Sequence, residues 1–171
     1  MKRCKVENIS EADEFLAEAK YLRDLSHKYI VYYVDDFIHI EFNKGKIEPI
    51  YYVVIIMEFC EGGDLKKRID NVYYNKSFFS KKELINVLLQ ICESLNYLHN
   101  KNIIHRDIKS QNVFFTRDNV VRIGDFGLAK KIKKNRRNTL MTKVGTDSYM
   151  APEVLKGDNY GKPVRVIFII I

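Results

Sequence analysis

Three short polar blocks between residues 105 and 153 constrain this 171-residue chain more than anything else in it. The first is His105-Arg106-Asp107-Ile108-Lys109-Ser110-Gln111-Asn112, the second Asp125-Phe126-Gly127, the third Ala151-Pro152-Glu153. Singly, each reads as an ordinary charged surface loop. Together and in this order they are hard to obtain by chance. Apolar runs at 102–104 and 113–115 flank the first block, and the run 120–123 leads into the second. Such runs read as short strands that hold the loops between them. The residue types suit one kind of chemistry. Asp107 is a carboxylate placed to accept a proton from a hydroxyl. Asn112 and Asp125 are oxygen donors of the kind that hard, six-coordinate magnesium prefers. Gly127 gives the second loop backbone freedom to aim its carboxylate.

Composition bounds the rest. Hydrophobic residues make up 46% and charged residues 30% of the chain, as expected for one domain with a core and not for a disordered segment. The formal net charge is +7, but much of it sits in the run 130–137, which reads as a solvated basic loop. Nuclear import or an anionic partner is the weaker reading of that run, and no aromatic residue interleaves it as a single-strand stacking platform requires. Cys4, Cys60 and Cys92 are odd in number and widely spaced, without zinc-ligand spacing. Free thiols suit a reducing cytoplasmic setting. The N-terminus does not read as a signal peptide. The apolar stretch 166–171 is far shorter than the roughly 20 residues a membrane-spanning helix needs.

The pattern along the chain is strands plus one helix, a glycine-containing link, then mostly helix. Residues 10–26 read as an amphipathic helix capped by Ser10, with Phe15, Leu16, Ala19, Leu22 and Leu25 on one side. Residues 30–40 and 50–59 read as strands, with Asn43-Lys44-Gly45-Lys46 as the turn between them. Glu61-Gly62-Gly63-Asp64 reads as a flexible connector. Ser80 caps a helix over 81–100 whose buried face is Leu84, Val87, Leu88, Ile91, Leu95 and Leu98.

The three blocks match the signature set of protein kinases: catalytic loop, metal-binding loop and end of the activation segment. The chain resembles the serine/threonine class, and most of all the NIMA-related (Nek-like) group, through Cys60-Glu61-Gly62-Gly63-Asp64-Leu65 and the 105–112 block. Asp147 stands where that group commonly has proline. The resemblance implies an α+β, two-lobed fold that is incomplete here. It divides into a partial N-lobe at 1–58, a hinge at 59–63, a partial C-lobe at 64–164 and an atypical apolar tail at 165–171. It also implies ATP and Mg2+ as cofactors and proteins with serine or threonine acceptors as partners. Asp107 is then the catalytic base, Lys109 contacts the transferred phosphate, and Asn112 and Asp125 hold the metal. Lys2 holds the nucleotide phosphates and Glu18 is its ion-pair partner. Met57 is the gatekeeper, Glu58 and Cys60 belong to the hinge that pairs the adenine, and Asp64 lies near the ribose. Leu22, Tyr33, His105 and Phe126 match the family's stacked hydrophobic spine.

Residues 128–150 resemble an activation loop. Thr142 is the favoured phosphorylation site, Thr139 the alternative, and Arg106 the cation that pairs with the phosphate. Thr146 resembles the threonine that lines the substrate site. The implied location is cytoplasmic, with nucleus or cytoskeleton as alternatives.

The chain also departs from the family. The Gly-rich strand pair would lie before Met1, Arg165 stands where an aspartate anchors the catalytic loop, and the arginine that pairs with Glu153 has no counterpart. A truncated gene model, a read-through product or a fragment is therefore expected, with part of the 81–100 helix exposed and 166–171 prone to aggregate. Two readings compete. One is an ATP-dependent serine/threonine kinase with every motif residue intact. The other is a catalytically inactive kinase-like fragment acting as a binding or regulatory module.

Overall fold

β-Branched and aromatic residues set the first sheet. In the computed structural model, which describes residues 1–42, 48–127 and 129–131, it is built from β1 (Lys2–Val6), β2 (Tyr33–Glu41) and β3 (Ile50–Met57). The order is β1-β3-β2, antiparallel throughout, so the most apolar strand, β3, is central. Helix α1 (Ile9–Arg23) packs on one face of this sheet. Ala12 and Ala19, seven residues apart, are buried against Val6, Val53 and Ile55, with Phe15, Leu16, Tyr51 and Met57 around them. Small residues on the helix let it lie close to a sheet of large ones.

The cap of α1 differs from expectation. Asn8, not Ser10, is the N-cap: its Oδ1 accepts from the Glu11 amide at 2.9 Å, and the Glu11 carboxylate accepts from the Glu7 amide at 2.6 Å. The first bond satisfies one of the amides that the helix leaves open, and the second ties the residue before the cap to the first turn. β2 also begins later than expected. Ile30 belongs elsewhere, in a parallel bridge to Ile123, and the Ile123 amide donates to Tyr29 O at 2.9 Å.

The chain divides into two compact units, one of residues 1–26 and 31–59, the other of 27–30 together with the described residues from Cys60 onward. Residues 27–30 are held in the second unit by specific contacts. His27 stacks on Tyr97 with centroids 4.7 Å apart, and Lys28 pairs with Glu93 at 3.0 Å. Arg122 donates to the Lys28 carbonyl.

The described part of the second unit contains α2 (Leu65–Tyr74), α3 (Lys81–Asn100) and four short strands, β4 (Ile103–Ile104), β5 (Val113–Phe115), β6 (Val121–Ile123) and β7 (Lys130–Lys131). Ser80 caps α3 as expected, in a full capping box with Glu83. Asp64 caps α2, its Oδ1 accepting from Lys67 N at 2.8 Å. The inner half of α3 buries Ile91, Leu95 and Leu98, while Leu84, Val87 and Leu88 nearer its start are only half-buried. Two polar side chains inside are satisfied: Gln90 Oε1 accepts from Val121 N at 2.8 Å, and Ser94 Oγ donates to Ile91 O at 2.7 Å. β5 and β6 form one antiparallel ribbon, β4 and β7 another. β7 takes the first two residues of the basic run, which was expected to be loop throughout. The backbone pairing Ile103↔Lys131 and Ile104↔Lys130 decides it, not side-chain propensity.

The glycine link is pinned, not flexible. Gly62 N donates to Phe115 O and Phe115 N donates to Gly63 O, both at 2.9 Å. Gly63 has φ +70°, a conformation open to glycine at little cost. A Cβ on Gly62 would fall 2.7 Å from Thr116 O and 2.8 Å from both Phe115 Cβ and Arg68 Nη2. Arg68 is itself tied down, stacked over the Phe115 ring and donating to Asn119 Oδ1 at 2.9 Å. Gly62→Ala is expected to cost about 1–3 kcal/mol through overpacking. A urea midpoint equal to that of the parent chain would show that the link is loose after all.

Candidate active site

Residues 105–112 connect β4 to β5, so both ends of this loop are fixed by strand pairing within the second unit. Its backbone turns sharply at Arg106, which has φ 68°. A non-glycine residue in the left-handed region is uncommon and costs of order 1 kcal/mol or more. The surrounding packing holds it there.

His105 is the pin. It is fully buried, and its Nε2 lies 2.9 Å from Gly124 O. Its Nδ1 accepts from the Asp107 amide at 3.3 Å. The tautomer follows: Nδ1 is the acceptor, so Nε2 carries the proton and donates to the Gly124 carbonyl. The ring also packs on Phe126, with centroids 4.7 Å apart. One side chain thus fastens the 105–112 loop to the 124–127 loop. Burial pushes the His105 imidazole below its ordinary value, against the upward pull of the Gly124 carbonyl and of Asp125 and Asp107.

That shift has a pH consequence. A histidine whose folded-state value is depressed stabilises the fold fully above its unfolded value of about 6.5 and loses that contribution as pH falls below it. His105→Tyr keeps an aromatic ring and a donor without a titrating group near neutrality. Its stability is expected to fall less between pH 7.5 and pH 5.5 than the parent's, by up to about 1.4 kcal/mol per pH unit in that window. Parallel pH profiles in urea unfolding would contradict this role. His27, also held low by burial, titrates equally in both proteins and cancels from the comparison.

Asp107 is nearly buried, and two donors converge on its Oδ2. Lys109 Nζ lies at 2.8 Å and Asn112 Nδ2 at 3.0 Å. Asn112 Nδ2 also donates to the Asp107 carbonyl at 2.9 Å. The Asn112 amide orientation is thereby fixed: nitrogen toward Asp107, Oδ1 away from it. Asn112 sits in a short 3-10 turn, Ser110–Asn112, and its carbonyl accepts from Gly124 N at 3.1 Å. The two loops are therefore joined twice, through His105 and through Asn112.

In the second loop the left-handed residue is Asp125, with φ 60°. The sequence placed backbone freedom at Gly127 and did not announce this conformation at Asp125 itself. Asparagine and aspartate tolerate this region better than most side chains do.

The remaining candidates divide between the two units. In the first, Lys2 opens β1 opposite Ile55, and α1, which carries Glu18, covers the same sheet; the Glu18 side chain lies outside the described residues. Met57 ends β3 and packs against the buried cluster of that unit. Glu58 is clamped to Tyr32: Glu58 N donates to Tyr32 O at 2.9 Å, and Tyr32 N donates to Glu58 Oε1 at 2.8 Å. Leu22 is fully buried and Tyr33 half-buried there. In the second unit, Cys60 O accepts from Gly63 N at 3.2 Å, and Asp64 is committed to capping α2. Thr139, Thr142, Thr146 and Glu153 lie outside the described residues. The roles of Gly62 and His105 as pins were not read from the sequence; a glycine before an N-capping aspartate is too common a pattern to reveal the close approach.

Comparison with known proteins identifies the family of this chain. The family model described as protein kinase domain matches residues 1–167. The chain belongs to the protein kinase family. It is similar to serine/threonine-protein kinase Nek3 of Oryza sativa subsp. japonica, 40% identical over 122 residues, which is 71% of this chain and 20% of that protein. It is also similar to serine/threonine-protein kinase Nek1 of Mus musculus, 35% identical over 150 residues, 88% of this chain and 11% of that protein. Serine/threonine-protein kinase shk2 of Schizosaccharomyces pombe is 34% identical over 151 residues, 88% of this chain and 23% of that protein. The chain thus spans less than a quarter of these relatives. Among the described residues no helix is long and apolar enough to cross a membrane.

Proposed function

We propose that this chain carries the catalytic loop of an ATP-dependent kinase that moves the γ-phosphate to serine and threonine hydroxyls of proteins. The observation that carries the reading is the convergence of Lys109 and Asn112 on one oxygen of Asp107. The carboxylate of Asp107, oriented by these two donors, is assigned to the substrate hydroxyl, whose proton it accepts. Lys109, 2.8 Å from that carboxylate, places its ammonium beside the phosphoryl group in flight.

The donor set suits magnesium. The Asn112 amide nitrogen is spent on Asp107, so the oxygen it presents is Oδ1, and Asp125 adds a carboxylate. Hard oxygen donors of this kind match Mg2+, which, when bound, neutralises charge on the phosphates. The double fastening of the 105–112 loop to the 124–127 loop fixes the backbone from which both donors project. Lys2 and Glu18 are assigned to nucleotide phosphates, Met57, Glu58 and Cys60 to the adenine, and Asp64 to the ribose, on the strength of the family match. Phosphorylation of Thr142, or else Thr139, adds charge for Arg106 to bind, and Thr146 contributes to acceptor choice.

Acceptor class is checked with γ-labelled ATP and matched peptides carrying serine, threonine or tyrosine. Label on serine and threonine alone is expected. Label on tyrosine would overturn the assignment.

A further inference from the structure

The two edges of the three-stranded sheet are unlike. β1 carries Lys2, Arg3 and Lys5, the kind of charge that discourages strand-to-strand association. β2, at the opposite edge, exposes Asp35 and His39 but also a row of apolar side chains: Ile38, Ile40 and, just past its end, Phe42 are 37%, 47% and 79% exposed. These three alternate along the chain and so share one face. His39 and Glu41 occupy the other face, where Glu41 Oε2 accepts from Arg3 and Arg3 stacks on Tyr52. Among the described residues, β3 pairs with one side of β2 and no strand pairs with the other. An irregularity between Tyr33 and Asp35 interrupts the pairing at the start of β2 and leaves the later part as the regular stretch.

We propose that β2 is a self-association edge. Two copies of this chain pair antiparallel through residues 38–42, about a two-fold axis at Ile40. Ile38 of one copy then faces Phe42 of the other, Ile40 faces its own equivalent, and His39 faces Glu41. One face of the junction is entirely apolar. The other sets an imidazole against a carboxylate, twice, because the symmetry repeats every contact. Glu41 uses one oxygen for Arg3 and has a second for His39.

The register is specific. Centred on His39, the pairing sets that ring against itself and Phe37 against Glu41. Centred on Ile38, it sets Asp35 against Glu41, two like charges. The Ile40 register satisfies both faces, and this self-match favours a second copy over an unrelated strand. The product is one continuous sheet of order β1-β3-β2-β2-β3-β1.

Sedimentation equilibrium of the full 171-residue chain, in reducing buffer, tests this. A reversible monomer–dimer equilibrium is expected. Ile40→Lys brings two ammonium groups together at an exposed position and should weaken the dimer at least tenfold, with the circular dichroism spectrum unchanged. Val34→Lys, equally exposed but outside the paired stretch, should leave the equilibrium unmoved. A chain that stays monomeric at high concentration overturns the proposal. So does a dimer that resists Ile40→Lys, or one weakened as much by Val34→Lys.

Discussion

Replacing Asp107 with asparagine is expected to lower turnover about 10²–10⁴-fold while leaving the affinity for ATP with magnesium unchanged. The substitution keeps the shape of the side chain, and its amide oxygen still accepts from Lys109 or Asn112. It removes only the capacity to take the substrate proton. The loop around it is over-determined, by His105 on one side and the 3-10 turn on the other, so the backbone should not move. A variant that loses nucleotide affinity along with turnover would show that Asp107 serves binding, not proton transfer.

Asp125→Ala is expected to do the reverse. Its carboxylate is assigned to the metal, so affinity for ATP should fall sharply with magnesium present and little without it. Alanine at φ 60° also carries a backbone strain of about 1–2 kcal/mol. Asp125→Asn, which tolerates that conformation and removes the charge alone, separates the two effects. Titration of a fluorescent nucleotide with and without magnesium distinguishes them. Equal affinities in the Asp107→Asn and Asp125→Ala proteins would refute the division of roles.

How much of this was legible follows from where the information lies. Ser80 three residues before Glu83 announces its capping box directly, and the bounds of α3 are as expected. At α1 the sequence offers two capping side chains, Asn8 and Ser10, and composition does not rank them. The extended backbone at Asn8 decides, and that is set by the exit from β1. Residues 30–32 look like the beginning of a strand because Ile30, Val31 and Tyr32 have strand propensity. Ile30 does pair, but with Ile123, a partner 93 residues away that local pattern cannot identify.

The family of the chain was legible because it is carried by residue types in a fixed order. Its mechanics were not. Nothing in His105-Arg106-Asp107 states that the imidazole donates to Gly124 O, or that Arg106 and Asp125 adopt left-handed backbone. Those features arise from packing between two loops. Gly62 and Gly63 illustrate the same limit. Glycine suggested freedom, whereas Gly62 is required by a close approach to Thr116 and Phe115, and Gly63 by its positive φ.

The most direct test of the account is phosphate transfer from γ-labelled ATP to a generic serine/threonine substrate. It compares the purified 171-residue chain with its Asp107→Asn variant. Label on the substrate that disappears in the variant is expected. A folded chain that transfers nothing, or one whose transfer survives the substitution, would contradict the claim that the 105–112 loop performs the reaction.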